Sequence, residues 1–388
     1  MKVLLTSTDN PYITKMGGKH VHLLLLEQGL KKLGVEVSTL YYNVNSIREL
    51  AKKSTLLLFS EKRRYERKIK WRINYLVKHA PKNHFDIAHA HDVLSLLAIA
   101  KTPQKKVLTL HGYFARENVE FIKREKERKK VYPFLLETEK QGMKNVDHII
   151  TVDRRLKEYV ISEFGYPTAD VTVVHNAVDT DNFKPVSKEE QWKIKAEKGF
   201  NREDFVILVP RRLVEKNGVI YAVRAMKQVA NENVKLVIVG DGPEREKILE
   251  EADTDRRIKF FGSLPHNKVA SYYMMADSIL IPSITVHGIQ EATSLAMLEG
   301  MSCGKPVICS GIGGMREIIH NMKNGILVQE KKTGEIAKAI ETLMENSALI
   351  NEMVHNAREY VLQHNSYLAH AGKVIAIYRA VMEERKKV

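Results

Sequence analysis

Short runs of aliphatic and β-branched residues alternate with longer stretches in which apolar positions recur every three or four residues, and this alternation persists along nearly the whole chain. Such an order predicts parallel sheets built from strand, helix, strand units. Strands are expected at residues 2–6, 36–40, 86–90, 106–110, 148–152 and 171–174, with a first helix from about 18 to 33. The pattern then restarts, with strands expected at 205–209, 234–239, 258–261, 278–281, 307–309 and 325–328. Phe183-Lys-Pro185 and the polar tract SKEEQWKIKAEKGFNRED separate the two series. The expected architecture is α/β, two doubly wound, Rossmann-like domains at 1–188 and 189–366 that face a central cleft. A final helical stretch, 367–388, follows the close of the second domain and is expected to cross back onto the first.

A chain of 388 residues exceeds one ordinary core, in agreement with two domains. No apolar run approaches the length of a membrane span, and the N-terminal MKVLLTSTDN is polar where a signal peptide needs an apolar stretch. A cytoplasmic protein is expected. Cys303 and Cys309 are too few for a disulfide framework and are expected to be small buried hydrophobes. Of the net charge of +15, residues 1–185 carry +12. The densest basic run, 48–82, interleaves Tyr65, Ile69, Trp71, Ile73 and Leu76 with its cations, a pattern suited to an anionic membrane surface. A solvated charged face is the plainer alternative.

Chemistry concentrates after residue 200. Glu291 and Glu299 stand eight positions apart, which on one regular helix leaves them about 80° out of register. The spacing therefore places Glu291 in a loop entering a helix and Glu299 within it, with the first helical amides between them, where an anion is favoured. Arg211, Arg212 and Lys216 follow the strand at 205–209 and offer cations to a phosphate. Earlier, Gly17-Gly18 opens a helix after the first strand without matching GxGxxG or the GxxxxGK[ST] loop, and Gly300-Met-Ser-Cys-Gly304-Lys305-Pro306 also fails that pattern. A P-loop enzyme is thereby excluded. His111-Gly112 ends the strand at 106–110. His89 and His91 lack a third ligand at metal-binding spacing, so no metal site is expected. Two Asp-x-Asp triplets, Asp179-Thr-Asp181 and Asp253-Thr-Asp255, fall in a turn and a polar tract and are expected to be structural.

In this order the motifs resemble those of glycosyltransferase family 4, retaining GT-B enzymes that use nucleotide sugars. The resemblance runs from Gly17-Gly18 through His111-Gly112, the turn at 176–179, Arg212 to Lys216 and Gly240-Asp-Gly-Pro243 to Glu291 and Glu299. It implies that Glu291 contacts the transferred sugar and Glu299 the ribose. Arg212 and Lys216 would neutralise the leaving diphosphate, aided by the amides of Thr293, Ser294 and Leu295, with Gly17 and Gly18 near the phosphates, His111 against the sugar, and the base beside Gly262 to Leu264. The implied activity is metal-independent transfer of a hexosyl group from a UDP-, GDP- or ADP-sugar to a hydroxyl of a glycan or lipid-linked acceptor, with no cofactor and no nucleic-acid partner. Three departures stand out. Ala292 and Ser294 replace the glycines of many relatives, the basic motif is one residue short, which makes Arg211 an alternative cation to Arg212, and a long basic insertion at about 45–82 falls on the side where the family binds its acceptor. A nucleotide-sugar epimerase on the same fold is the competing enzyme reading; a basic membrane or nucleic-acid binder is the non-enzymatic one.

Overall fold

The computed structural model describes residues 1–13, 17–43, 59–120, 122–144 and 146–383. The chain divides into two units, Met1–His175 with His370–Val388, and Asn176–Ala369. The division falls before the boundary expected after residue 188, because Asn176 to Phe183 already pack with the second unit: Val178 bridges Ser366, and Phe183 lies in that unit's core. Phe183-Lys-Pro185 is thus a turn inside the unit and not its border.

In the first unit six parallel strands, β1 (Lys2–Ser7), β2 (Glu36–Tyr41), β3 (Ile87–Ala90), β4 (Lys105–Leu110), β5 (His148–Thr151) and β6 (Val171–Val173), lie in the order β2-β1-β3-β4-β5-β6. Because successive side chains point to opposite faces, Val3, Leu5, Ile87 and Val107 pack on one side and Ala88, Ala90, Leu108 and Leu110 on the other. The first side is covered by Leu26 and Leu30 of the helix Gly18–Lys32 and by Val374, Ile375, Tyr378 and Val381 of the helix Tyr367–Glu383. Burial of each such side chain contributes about 1.5–3 kcal/mol. The C-terminal helix is therefore part of the first unit's core from His370 onward.

The second unit repeats the plan with β7 (Phe205–Pro210), β8 (Val234–Val239), β9 (Ile258–Phe260), β10 (Ser278–Ile281), β11 (Val307–Ser310) and β12 (Ile326–Val328), ordered β12-β11-β10-β7-β8-β9. Cys303 and Cys309 are free and buried, and burial pushes both thiols up to about 12. They act as apolar filling. In a doubly wound sheet ligands gather beyond the carboxyl ends of the strands where the order reverses. That point lies between β1 and β3 in the first unit and between β7 and β10 in the second.

Candidate active site

Arg211 follows β7 directly, and Ser283 lies two residues beyond β10, so the two face each other across the second reversal point. The Arg211 guanidinium donates to Ser283 Oγ (3.1 Å), Asn217 Oδ1 (2.6 Å), Ser294 Oγ (3.1 Å) and Glu291 Oε2 (2.8 Å). Four acceptors hold one buried cation in a single pose, and its Nε, also buried, has no hydrogen-bond partner among the described residues. A glycine is required beside it: Gly240 has a φ of 151°, and a Cβ there would strike the Arg211 carbonyl. Of the two tandem arginines, only Arg211 is built into this network. Arg212 and Lys216 are exposed.

Glu291 sits in the loop before the helix Leu295–Ser302, and Glu299 sits within that helix. The loop is latched at several points. Gly314 N donates to the Glu291 carbonyl (3.2 Å), Gly313 N to Gln290 Oε1 (3.1 Å), and Asn176 Nδ2 to the Thr293 carbonyl (3.3 Å). Thr293 and Ser294 are buried, and Leu295 opens the helix whose first amides have no acceptors within it. Glu299, only 9% exposed, accepts from the buried Tyr273 hydroxyl. Burial with the Glu299 charge alongside pushes the Tyr273 hydroxyl well above its usual range, so it stays a donor. Asn217, Ser283, Asn176 and Tyr273 were not legible as site residues. Asn217 precedes a glycine and Ser283 follows a strand, and both features are common in plain turns.

Gly262 and Leu264 follow β9, with the Gly262 carbonyl accepting from Gly240 N at 2.8 Å, so this loop adjoins the Arg211 turn. Both Asp-x-Asp triplets have structural partners. Asp179 Oδ1 accepts from the amides of Asp181 and Asn182, Asp181 accepts from the Tyr367 hydroxyl, and Asp255 pairs with Arg257.

In the first unit Gly17 caps the helix Gly18–Lys32 with an ordinary extended backbone, and Gly17 N donates to His20 Nδ1 at 2.9 Å. His111 follows β4 and meets more imidazole than its sequence neighbourhood suggests. The His22 ring lies 4.5 Å from that of His111, 4.9 Å from that of His370 and 5.4 Å from that of His91, centre to centre. His89, behind them, bonds the Tyr378 hydroxyl at 2.6 Å and Thr109 Oγ1 at 2.7 Å. Burial drives His89, His91, His111 and His370 well below the usual imidazole range, so these four are uncharged at neutral pH. Beside it Lys19 is paired with Asp9 and Asp92. Sequence spacing gives no hint of this grouping, since His22 is interior to a helix and His370 is far along the chain.

The basic run becomes the helix Glu61–His79, while residues 48–58 lie outside the described residues. Tyr65, Ile69, Tyr75 and Leu76 pack inward on the unit's own clusters, and Lys62, Arg63, Arg67, Lys70 and Lys78 remain exposed. Four of the apolar positions of this run thus pack on the fold, Val77 stays exposed, and cations stand along the same exposed surface. No helix among the described residues is long and apolar enough to cross a membrane.

A model of Glycosyltransferase Family 4 matches residues 16–182, and one of Glycosyl transferases group 1 matches residues 190–360. An uncharacterized glycosyltransferase of Methanocaldococcus jannaschii is 30% identical over 61% of this chain, and the chain spans 60% of that relative's length. The UDP-Gal:alpha-D-GlcNAc-diphosphoundecaprenol alpha-1,3-galactosyltransferase of Escherichia coli is 27% identical over 78% of this chain and 77% of its own. Among solved structures, sucrose-phosphate synthase from Thermosynechococcus elongatus aligns with a TM-score of 0.77 over 99% of this chain and 100% of its own, at 19% identity. That likeness identifies the fold as GT-B.

Proposed function

The chain belongs to the family 4 and group 1 glycosyl transferases, and from that premise we propose that it moves a hexosyl group from a nucleotide sugar to a hydroxyl acceptor with retention of configuration. The observation that carries this reading is the Arg211 network, a buried cation held by Glu291 and Ser294 at the mouth of a helix whose next turn bears Glu299.

Departure of a nucleoside diphosphate builds negative charge on phosphate and positive charge on the sugar. Arg211, the amides of Thr293, Ser294 and Leu295, and Lys216 from the solvent side are the groups we assign to the phosphates, because oriented donors act most strongly where charge develops. Glu291, held beside Arg211, is the carboxylate we assign to the transferred sugar. Glu299 is assigned to the ribose hydroxyls, its orientation fixed by Tyr273. With cation and amides serving the phosphates, no divalent ion is needed there. The first unit takes the acceptor. A lipid-linked diphosphate is the class we favour, since the Escherichia coli relative is named for such an acceptor and the exposed stripe of the helix Glu61–His79 is cationic.

The test is a thermal-shift screen of UDP, GDP, ADP and their sugars, followed by turnover with the best donor in EDTA and assignment of the product anomer by NMR. Stabilisation by one nucleotide family, turnover without added metal and an α-linked product from an α-linked donor are expected. A product formed from the nucleotide sugar alone, with no acceptor, would replace the transferase reading with an epimerase.

A further inference from the structure

His22, His91 and His111 each bring a ring nitrogen into one group whose ligating atoms all lie within 4.8 Å of one another. His91 Nδ1 and His111 Nε2 stand 3.4 Å apart. A tetrahedral zinc ion, with Zn–N bonds of about 2.0–2.1 Å, separates its ligand nitrogens by about 3.4 Å, so this edge already has the dimension a metal would set. We propose that these three imidazoles form a binding site for a divalent transition metal of the zinc type, completed by solvent or by His370.

Three further observations point the same way. The first is burial: His22 and His91 are each 1% exposed, and the His91 ring turns only one of its two nitrogens, Nδ1, to the edge shared with His111. The second is the state of His370, whose Nδ1 contacts the His175 carbonyl at 3.0 Å. A carbonyl can only accept, so Nδ1 carries the proton and Nε2 is left as a bare lone pair, itself buried and without a partner. A backbone carbonyl that fixes the tautomer and directs the opposite nitrogen at a metal is the usual support for a histidine ligand. The third is position. His91 and His111 follow β3 and β4 at their carboxyl ends, and His22 lies on the helix after β1, so the group sits at the first unit's reversal point, where such sheets bind ligands. Among the described residues, no carboxylate or thiolate belongs to the group. An all-imidazole set favours zinc, copper, nickel or cobalt over magnesium or calcium. The inference stands on the first unit alone and does not depend on the transferase reading.

The experiment uses the full chain without an affinity tag, stripped with EDTA and titrated with Co²⁺, whose visible absorption reports coordination number. One Co²⁺ per chain is expected, with the intense bands of a four-coordinate site, displaced stoichiometrically by Zn²⁺. His22→Gln and His91→Gln are each expected to weaken binding at least about tenfold, with His111 left unaltered so that no sugar-side role enters the readout. Absence of stoichiometric binding, or full binding by both folded variants, overturns the proposal. Should either variant fail to fold, X-ray absorption of the zinc-loaded wild-type chain decides: three or four imidazole nitrogens around the metal support the site, and a shell of oxygen or sulfur overturns it.

Discussion

The two reversal points of this molecule are built from opposite materials. At the second, a permanent cation is buried, and Ser283, Asn217, Ser294 and Glu291 saturate most of its donors. At the first, several imidazoles crowd together, and burial keeps His89, His91, His111 and His370 uncharged. The difference follows from what each group costs to bury. An unpaired charge costs many kcal/mol in a low-dielectric interior and must arrive with its partners. An imidazole escapes that cost by staying neutral and keeps a ligand-binding nitrogen when it does. A pre-paired guanidinium suits an anion that comes and goes, whereas a cluster of lone pairs suits a cation.

The sharpest way to break this comparison is at Arg211. If the buried network carries the phosphate, Arg211→Ala lowers kcat/KM by about a hundred- to a thousandfold, while Arg212→Ala, altering an exposed side chain, changes it by only a few-fold. A larger loss from Arg212 in steady-state kinetics would reverse the assignment.

Next comes Glu139, another first-unit group whose charged form burial disfavours. Desolvation pushes its carboxyl up to about 7 from an ordinary 4.5, against the opposing bonds from Ala115 N and the Tyr159 hydroxyl. Since the folded form holds its proton more tightly than the unfolded one, its stability is fullest below about pH 4.5 and declines as pH rises to about 7. The decline amounts to about 3 kcal/mol. Urea unfolding of Glu139→Gln should therefore gain on the wild type over that window, and a pH-independent difference would show that the carboxyl is charged when folded.

Smaller effects test the far end of the second site. Glu299→Gln should raise the donor KM about tenfold with little change in kcat, as expected when one interaction common to ground and transition states is lost. Tyr273→Phe should cost about 1 kcal/mol of stability and leave the nucleotide preference unchanged; a change of preference would mean that Tyr273 does more than orient Glu299.

The strands were legible because most are short β-branched runs bounded by polar turns, and the inner ones, buried on both faces, need little more than that. The loop-then-helix placement of Glu291 and Glu299 was legible too, since helix geometry forbids the pair from sharing one face. Which of Arg211 and Arg212 turns inward was not, since that is a matter of strand register at the end of β7, decided by the pleat and by the Gly240 approach. The imidazole group was further still from view: His22, His91, His111 and His370 come from separate elements, and only the parallel order of β1, β3 and β4 with the returning C-terminal helix brings them together. The compact units divide earlier than the proline-bearing break at 183–185, because that division is set by which core the flanking apolar residues join.

The return of the C-terminal helix into the first unit also sets an order of events during synthesis. The second unit, Asn176–Ala369, is continuous and can close as soon as its last strand and helices have left the ribosome. The first cannot, because Val374, Ile375, Tyr378 and Val381 are made last and fill a face that Val3, Leu5, Leu26 and Leu30 present from the start. At about 5–20 residues per second that face waits on the order of twenty to seventy seconds for its cover. The half of the protein that is born first is the half that finishes folding last.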